Sequence, residues 1–239
     1  SDSSFAGEKT AQGNQDGNEK GDFYYTPPTD YLALCTDNLS APEIALPGDN
    51  FNTVLYTGDG ATTQAITEVG FEPDFLWTKK RSATGFHTLV DSVRGATNYV
   101  SSNSNNIEYD DAEYITSLDS DGFTVGVNTV TNDDTKTFAA WNWKGDGVAG
   151  GTLNEVGSID SQVNVNTTAG FSIVTYTGNG VAGATVGHSL GVVPDTVWVK
   201  QLTGATGNWR CYFEPLGNDT TLYLSLDEMK ASEGHYPYR

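Results

Sequence analysis

Residues 51–60 read FNTVLYTGDG, and residues 171–180 read FSIVTYTGNG. Phe51, Val54, Tyr56, Thr57, Gly58 and Gly60 recur 120 positions later as Phe171, Val174, Tyr176, Thr177, Gly178 and Gly180. One inserted residue on, PDFLWTK from Pro73 stands against PDTVWVK from Pro194. Pro73, Asp74, Trp77 and Lys79 thus match Pro194, Asp195, Trp198 and Lys200, and ATG from Ala83 then matches ATG from Ala205. Order and spacing are kept through both halves, which identifies an internal duplication.

Each phrase reads as a strand that stops on a Gly-rich turn. The proline opens the next strand, where its missing N–H costs least. DTVWVKQ alternates, with Val197 and Val199 on one side and Trp198 and Lys200 on the other. DGFTVGVNTV groups Phe123, Val125 and Val127, and KTFAAWNWKG groups Ala139, Trp141 and Trp143. Short strands separated by turn signals predict an all-β fold of tandem antiparallel β-sandwich units, jelly-roll or lectin-like, with little helix. Trp77 and Trp198, at matched positions, are expected in the core.

The predicted organisation has four parts. Residues 1–47 hold a polar start and one apolar strand around YLALC, too little to bury a core alone. Residues 48–146 form a first repeat unit. Residues 147–170 form a Gly/Ser-rich linker with a first hairpin strand. Residues 171–239 form a second unit that runs out, since nothing in it corresponds to DGFTVGV or FAAWNWKG.

The chain has 239 residues, 31 acidic against 12 basic, for a net charge of −19. That balance disfavours nucleic acid and anionic membrane surfaces as partners. The cluster Lys79, Lys80 and Arg81 reads as a solvated strand end. Cys35 and Cys211 read as buried thiols with no disulfide framework. No stretch suggests membrane insertion.

GDFYYTPPTDYLALCTDNLSAPEI resembles the closing strands of SPRY-like domains in bacteriophage structural proteins. The two repeats resemble those of marine phage tail-fibre-like proteins, through TTAGFSIVTYTGNGVAGATVGHSLGVVPDTVWVK and GFEPDFLWTKK…DGFTVG…AWNWKG. The resemblance implies a structural, receptor-facing virion component with lectin-like sandwiches, placed on the virion surface. It also implies a homo-oligomer, a trimer by analogy, in contact with other virion proteins and with a host-surface glycan or protein.

Candidate chemistry follows from residue types. Trp141, Trp143, Trp209 and Tyr212 are candidates for stacking on sugar rings. Asp119, Asp121, Asp133 and Asp134 are candidates for a calcium ion, although Asp-Gly turns explain the same pattern. No other cofactor is expected. His87, His188 and His235 have no triad or metal spacing, and no carboxylate pair stands out among so many, so an enzyme is not expected. The expected function is a virion appendage attaching to a host glycan. The alternatives are a spacer or capsid decoration without ligand and a fragment of a polysaccharide depolymerase.

Overall fold

Asn52, Val54 and Tyr56 turn inward from the first repeated phrase while Phe51, Thr53 and Leu55 turn outward, and that alternation sets the two faces of the central sheet. The computed structural model describes residues 9–40, 42, 44, 46–217, 220–226 and 229–231. Two compact units divide at Ala45 and Leu46.

The strands are β1 (Phe51–Thr57), β2 (Gln64–Ile66), β3 (Phe75–Lys80), β4 (His87–Asp91), β5 (Gly95–Val100) and β6 (Tyr109–Asp110). β7 (Ile115–Asp119), β8 (Gly122–Val125), β9 (Thr137–Trp143), β10 (Thr152–Asn154) and β11 (Ser161–Asn166) follow. β12 (Phe171–Tyr176), β13 (Thr196–Val199), β14 (Arg210–Phe213), β15 (Thr220–Leu222) and β16 (Met229–Ala231) complete the series. A single turn of α-helix, Thr129–Asn132, is capped by the Asn128 side chain, which accepts from Val130 N.

The strands assort into antiparallel sheets ordered β1-β9-β3-β4-β5-β6, β2-β8-β7, β10-β11-β12 and β13-β14-β15-β16. The all-β expectation therefore holds. Leu76, Val90 and Ala140 from the large sheet meet Ile66, Ile115, Phe123 and Val125 from the β2-β8-β7 sheet. Complete burial of each such large side chain is worth about 1.5–3 kcal/mol. Val127, expected beside Val125, lies past the end of β8 and is exposed.

The duplication is visible in the backbone. Gly60 and Gly180 both take left-handed angles, as do Gly70 and Gly191. So do Glu68 (φ 70°) and Ser189 (φ 60°), where a side chain makes that conformation costly. The same loop crosses the same strand in each copy: Asn52 Nδ2 donates to Val69 O, and Ser172 Oγ donates to His188 O.

Residues 147–170 are not a free linker. They supply β10 and β11, and Asn164 is fully buried. A Cβ on Gly145 would overlap the Asn164 side chain, so only glycine lets the two segments approach this closely.

The smaller unit is organised by Asp16. Its carboxylate accepts from Ala33 N at 2.7 Å, from Lys20 N at 2.9 Å and from Asn38 Nδ2 at 2.6 Å. These bonds bend the expected YLALC strand: Tyr31–Cys35 forms no ladder, and Leu34 is 87% exposed. Cys35, expected buried, is half-buried for the same reason.

Candidate functional site

The outward face of the large sheet collects aromatic residues because β3 and β9 are paired in register. Phe75 lies opposite Trp143 and Trp77 opposite Trp141. Ring centroids of Trp143 stand 4.8 Å from Phe51, 5.2 Å from Phe75 and 6.1 Å from Phe171. Trp77 makes edge contacts with Trp141 at 6.0 Å and with Trp198 at 5.9 Å. Phe171 and Trp198 belong to the second copy, so this face is the seam where the two copies pack outer face to outer face. Edge and offset contacts of this kind add about 0.5–1.5 kcal/mol each beyond area burial.

Trp141 and Trp143 do share one strand face, as their spacing predicts, but the face is a seam between layers rather than a free platform. Trp77 is half-buried and Trp198 is 42% exposed, so the expectation of two core tryptophans is corrected. Trp198 sits on β13, which ends its sheet among the described residues, and its contact with Trp77 covers only part of the ring. Trp209 is 7% exposed, packs with Leu89 and Val100, and donates its indole N–H to Ser101 O at 2.8 Å. Its donor and its faces are occupied, which removes it from any sugar-stacking set. Tyr212 pairs with Val197 on β14, on the side of that sheet opposite Trp198 and Cys211. The four aromatic candidates are therefore not one site.

Three of the four candidate calcium ligands are separately employed. Asp119 Oδ2 accepts from Thr124 Oγ1 at 2.7 Å, and Asp121 Oδ1 from Gly70 N at 2.7 Å. Asp133 pairs with Lys80 Nζ at 2.9 Å. Asp134 packs against Gly60, where a Cβ would crowd it. Among the described residues no three His, Cys, Asp or Glu side chains converge as a metal site. Lys80, read as part of a solvated cluster, is buried because even positions of β3 turn inward, towards Asp133 and the Phe138 ring.

Two polar centres escaped sequence reasoning. Asp74 is buried and accepts from Gly145 N at 2.7 Å, Gly147 N at 3.3 Å, Ser92 Oγ at 2.8 Å and Asn164 Nδ2 at 2.7 Å. Its repetition as Asp195 was the available signal. Arg94 is held by Asp91 and by Glu108 at 2.8 Å. Burial disfavours its charge, but those carboxylates outweigh burial and hold its pKa above the usual range.

His87 Nδ1 accepts the Trp77 indole N–H at 2.8 Å, and burial together with Lys79 lowers its pKa. His188 Nδ1 accepts from Leu190 N at 3.2 Å. His235 lies outside the described residues. Cys211 is buried and its thiol is pushed up to about 11 by burial, against a backbone bond with Leu224 that lowers it, so it is inert near neutrality.

No helix among the described residues is long and apolar enough to cross a membrane. No curated protein and no solved structure is matched by the chain. Residues 46–237 match one family, and across that span, which takes in both copies of the repeat, the chain belongs to the family described as Domain of unknown function (DUF7483).

Proposed function

We propose that the chain is a non-enzymatic structural module of a virion appendage, in which the two copies form a rigid spacer. The virion setting rests on the sequence resemblance to phage tail-fibre-like proteins. The structural role rests on one observation: Trp77 and Trp143, among the residues best suited to a flat sugar face, join the copies through Trp198 and Phe171, and Trp141 packs on Trp77 beside them. The carboxylates and the two described histidines support the non-enzymatic reading, since those nearest to candidate chemistry hold backbone amides, cations or an indole. Net charge of −19 suits a particle surface in salt water, where repulsion is screened over roughly 10 Å or less.

Host-surface glycan attachment is the second reading, and the part-open ring of Trp198 favours it. A glycan array and a host-envelope binding assay on the purified chain, with and without calcium, separate the two. The spacer reading expects no saturable binding by folded protein. Saturable glycan binding that Trp198→Ala abolishes without lowering Tm would replace the spacer with an adhesin. Antibodies to the chain should decorate an appendage on intact particles, and unlabelled particles would remove the virion setting.

A further inference from the structure

His87 and Trp209 occupy the same place in the repeat. ATG at Ala83 matches ATG at Ala205, and each of the two residues follows its ATG by the same step. The ladders agree, since Leu89 lies opposite Trp77 on β4 and Cys211 lies opposite Trp198 on β14. Both side chains serve the seam. Trp209, in the second copy, donates its indole N–H to Ser101 O of the first at 2.8 Å. His87 accepts the Trp77 indole N–H at 2.8 Å, and Trp77 in turn meets Trp198 edge-on at 5.9 Å. Of the two matched residues, only His87 is of a type that changes charge near neutral pH.

His87 also touches the loop that holds the second copy. Its backbone N–H donates to Asn103 Oδ1 at 3.1 Å. Asn103 belongs to residues 101–108, whose backbone bonds the second copy directly. Gly207 N donates to Asn105 O at 3.0 Å, Glu108 N donates to Leu202 O at 3.0 Å, and Lys200 Nζ donates to Asn105 O at 3.3 Å. One residue thus joins the aromatic contact and the loop contact between the copies.

A proton on Nδ1 is incompatible with this arrangement. The nitrogen accepts from Trp77 only while its lone pair is free, and indole has a donor but no acceptor to offer in return. The surroundings do not favour the charged ring. Lys79 lies opposite His87 in the ladder, and its ammonium donates to Lys80 O at 2.8 Å. β9 presents the neutral Ala139 opposite Lys79 and Trp141 opposite Trp77. Residues 101–108 present the neutral Asn103, and the second copy brings the cation of Lys200, which also donates to Gly207 O at 2.7 Å. Asp91, at the other end of β4, and Glu108 are closed on Arg94. Among the described residues no carboxylate is bonded to the ring, and burial together with Lys79 lowers its pKa.

We propose that His87 is a pH-sensitive latch on the seam between the copies. Neutral, it holds Trp77 edge-on to Trp198; protonated at Nδ1, it releases Trp77 and loosens residues 200–209 from the first copy, whose own core stays closed. The latch rests on the reading of the two copies as a rigid spacer, and it adds the condition under which that spacer gives way. The open seam takes up a proton at the ordinary histidine value of about 6.5, the closed seam only at a lower one. The seam is therefore firmest above that value and weakens as pH falls below it.

The test follows amide hydrogen exchange of the full chain from about pH 7.5 to about pH 5, each rate taken relative to an unstructured amide at the same pH. The Gly207 and Glu108 amides bridge the copies and report the seam. The Leu76 and Ala140 amides, on central strands of the large sheet, report the core of the first copy. Protection of Gly207 and Glu108 is expected to fall about ten-fold on acidification, the scale of one lost hydrogen bond, while Leu76 and Ala140 keep theirs. His87→Gln keeps an acceptor for Trp77 at every pH, and Trp77→Phe has no N–H to release, so each is expected to flatten the profile. A flat profile in the native chain overturns the latch and leaves the spacer reading standing. A fall that persists in both variants assigns the effect to another group and overturns it too, as does an equal fall at Leu76 and Ala140. Gly207 and Glu108 amides already unprotected at about pH 7.5 would instead refute the rigid spacer itself.

Discussion

Asn164 donates its side-chain amide to Asp74 at 2.7 Å across 90 residues of sequence, and through that bond the first copy grips the hairpin that opens the second. Asp74 faces four donors and offers none itself. Asp74→Asn would turn an NH2 group towards donors, which strands buried polar atoms. The expected cost is about 2–3 kcal/mol in denaturant unfolding. Asp195, its exposed counterpart, should tolerate Asp195→Asn within about 0.5 kcal/mol. Equal losses at both positions would refute the keystone role of Asp74.

His87 must leave Nδ1 unprotonated to accept from Trp77, and its pKa is lowered by burial and then by Lys79. The unfolded chain therefore takes up the proton first as pH falls. Stability from this group is complete above the ordinary histidine value near 6.5 and declines below it, towards the lower folded value. Melting curves between pH 7.5 and 5 should show a loss that His87→Gln reduces, read against the same series for the native chain. An unchanged pH slope in the variant would place the effect on other groups.

Phe123, on β8, is fully buried against Tyr56, at 6.0 Å, and the inner face of the large sheet. Phe123→Ala should cost about 3–5 kcal/mol, the usual penalty for such a cavity. Val192→Ala, on the open face of the second copy, should cost less than about 1 kcal/mol. Urea titrations with a shared m-value decide the comparison.

The seam makes the double variant Trp141→Ala/Trp143→Ala a stability variant rather than a binding variant. Loss of its ring contacts should lower Tm by several degrees. Removing calcium with a chelator should leave the Tm of the native chain unchanged, because Asp119, Asp121 and Asp133 are held by separate partners and no three such side chains converge among the described residues. A chelator-induced drop in Tm would contradict that separation.

Much of the fold was legible before any coordinates. Period-two patterns at Val54/Tyr56 and at Phe123/Val125 carry the inward faces, and Gly58 and Gly60 mark the end of a strand. The repeated phrases carry the duplication, down to the left-handed backbone at Glu68 and Ser189. The destinations of those faces were not legible. Trp141 and Trp143 alternate in the same way whether they meet water, a sugar or Phe171.

Residues 147–170 misled for a related reason. Gly and Ser lower local order, but the bonds of Asn164 to Asp74 and Ser92 recover it from a distance. Trp209 misled because its cover comes from Leu89 and Val100, more than 100 positions away. The sequence by itself determined the strand class, the repeat and the turn positions, because backbone preference and side-chain alternation act between near neighbours. Only the tertiary structure decided that the copies meet along their aromatic faces and that Asn164 closes on Asp74, because cover and pairing come from strands distant in the chain.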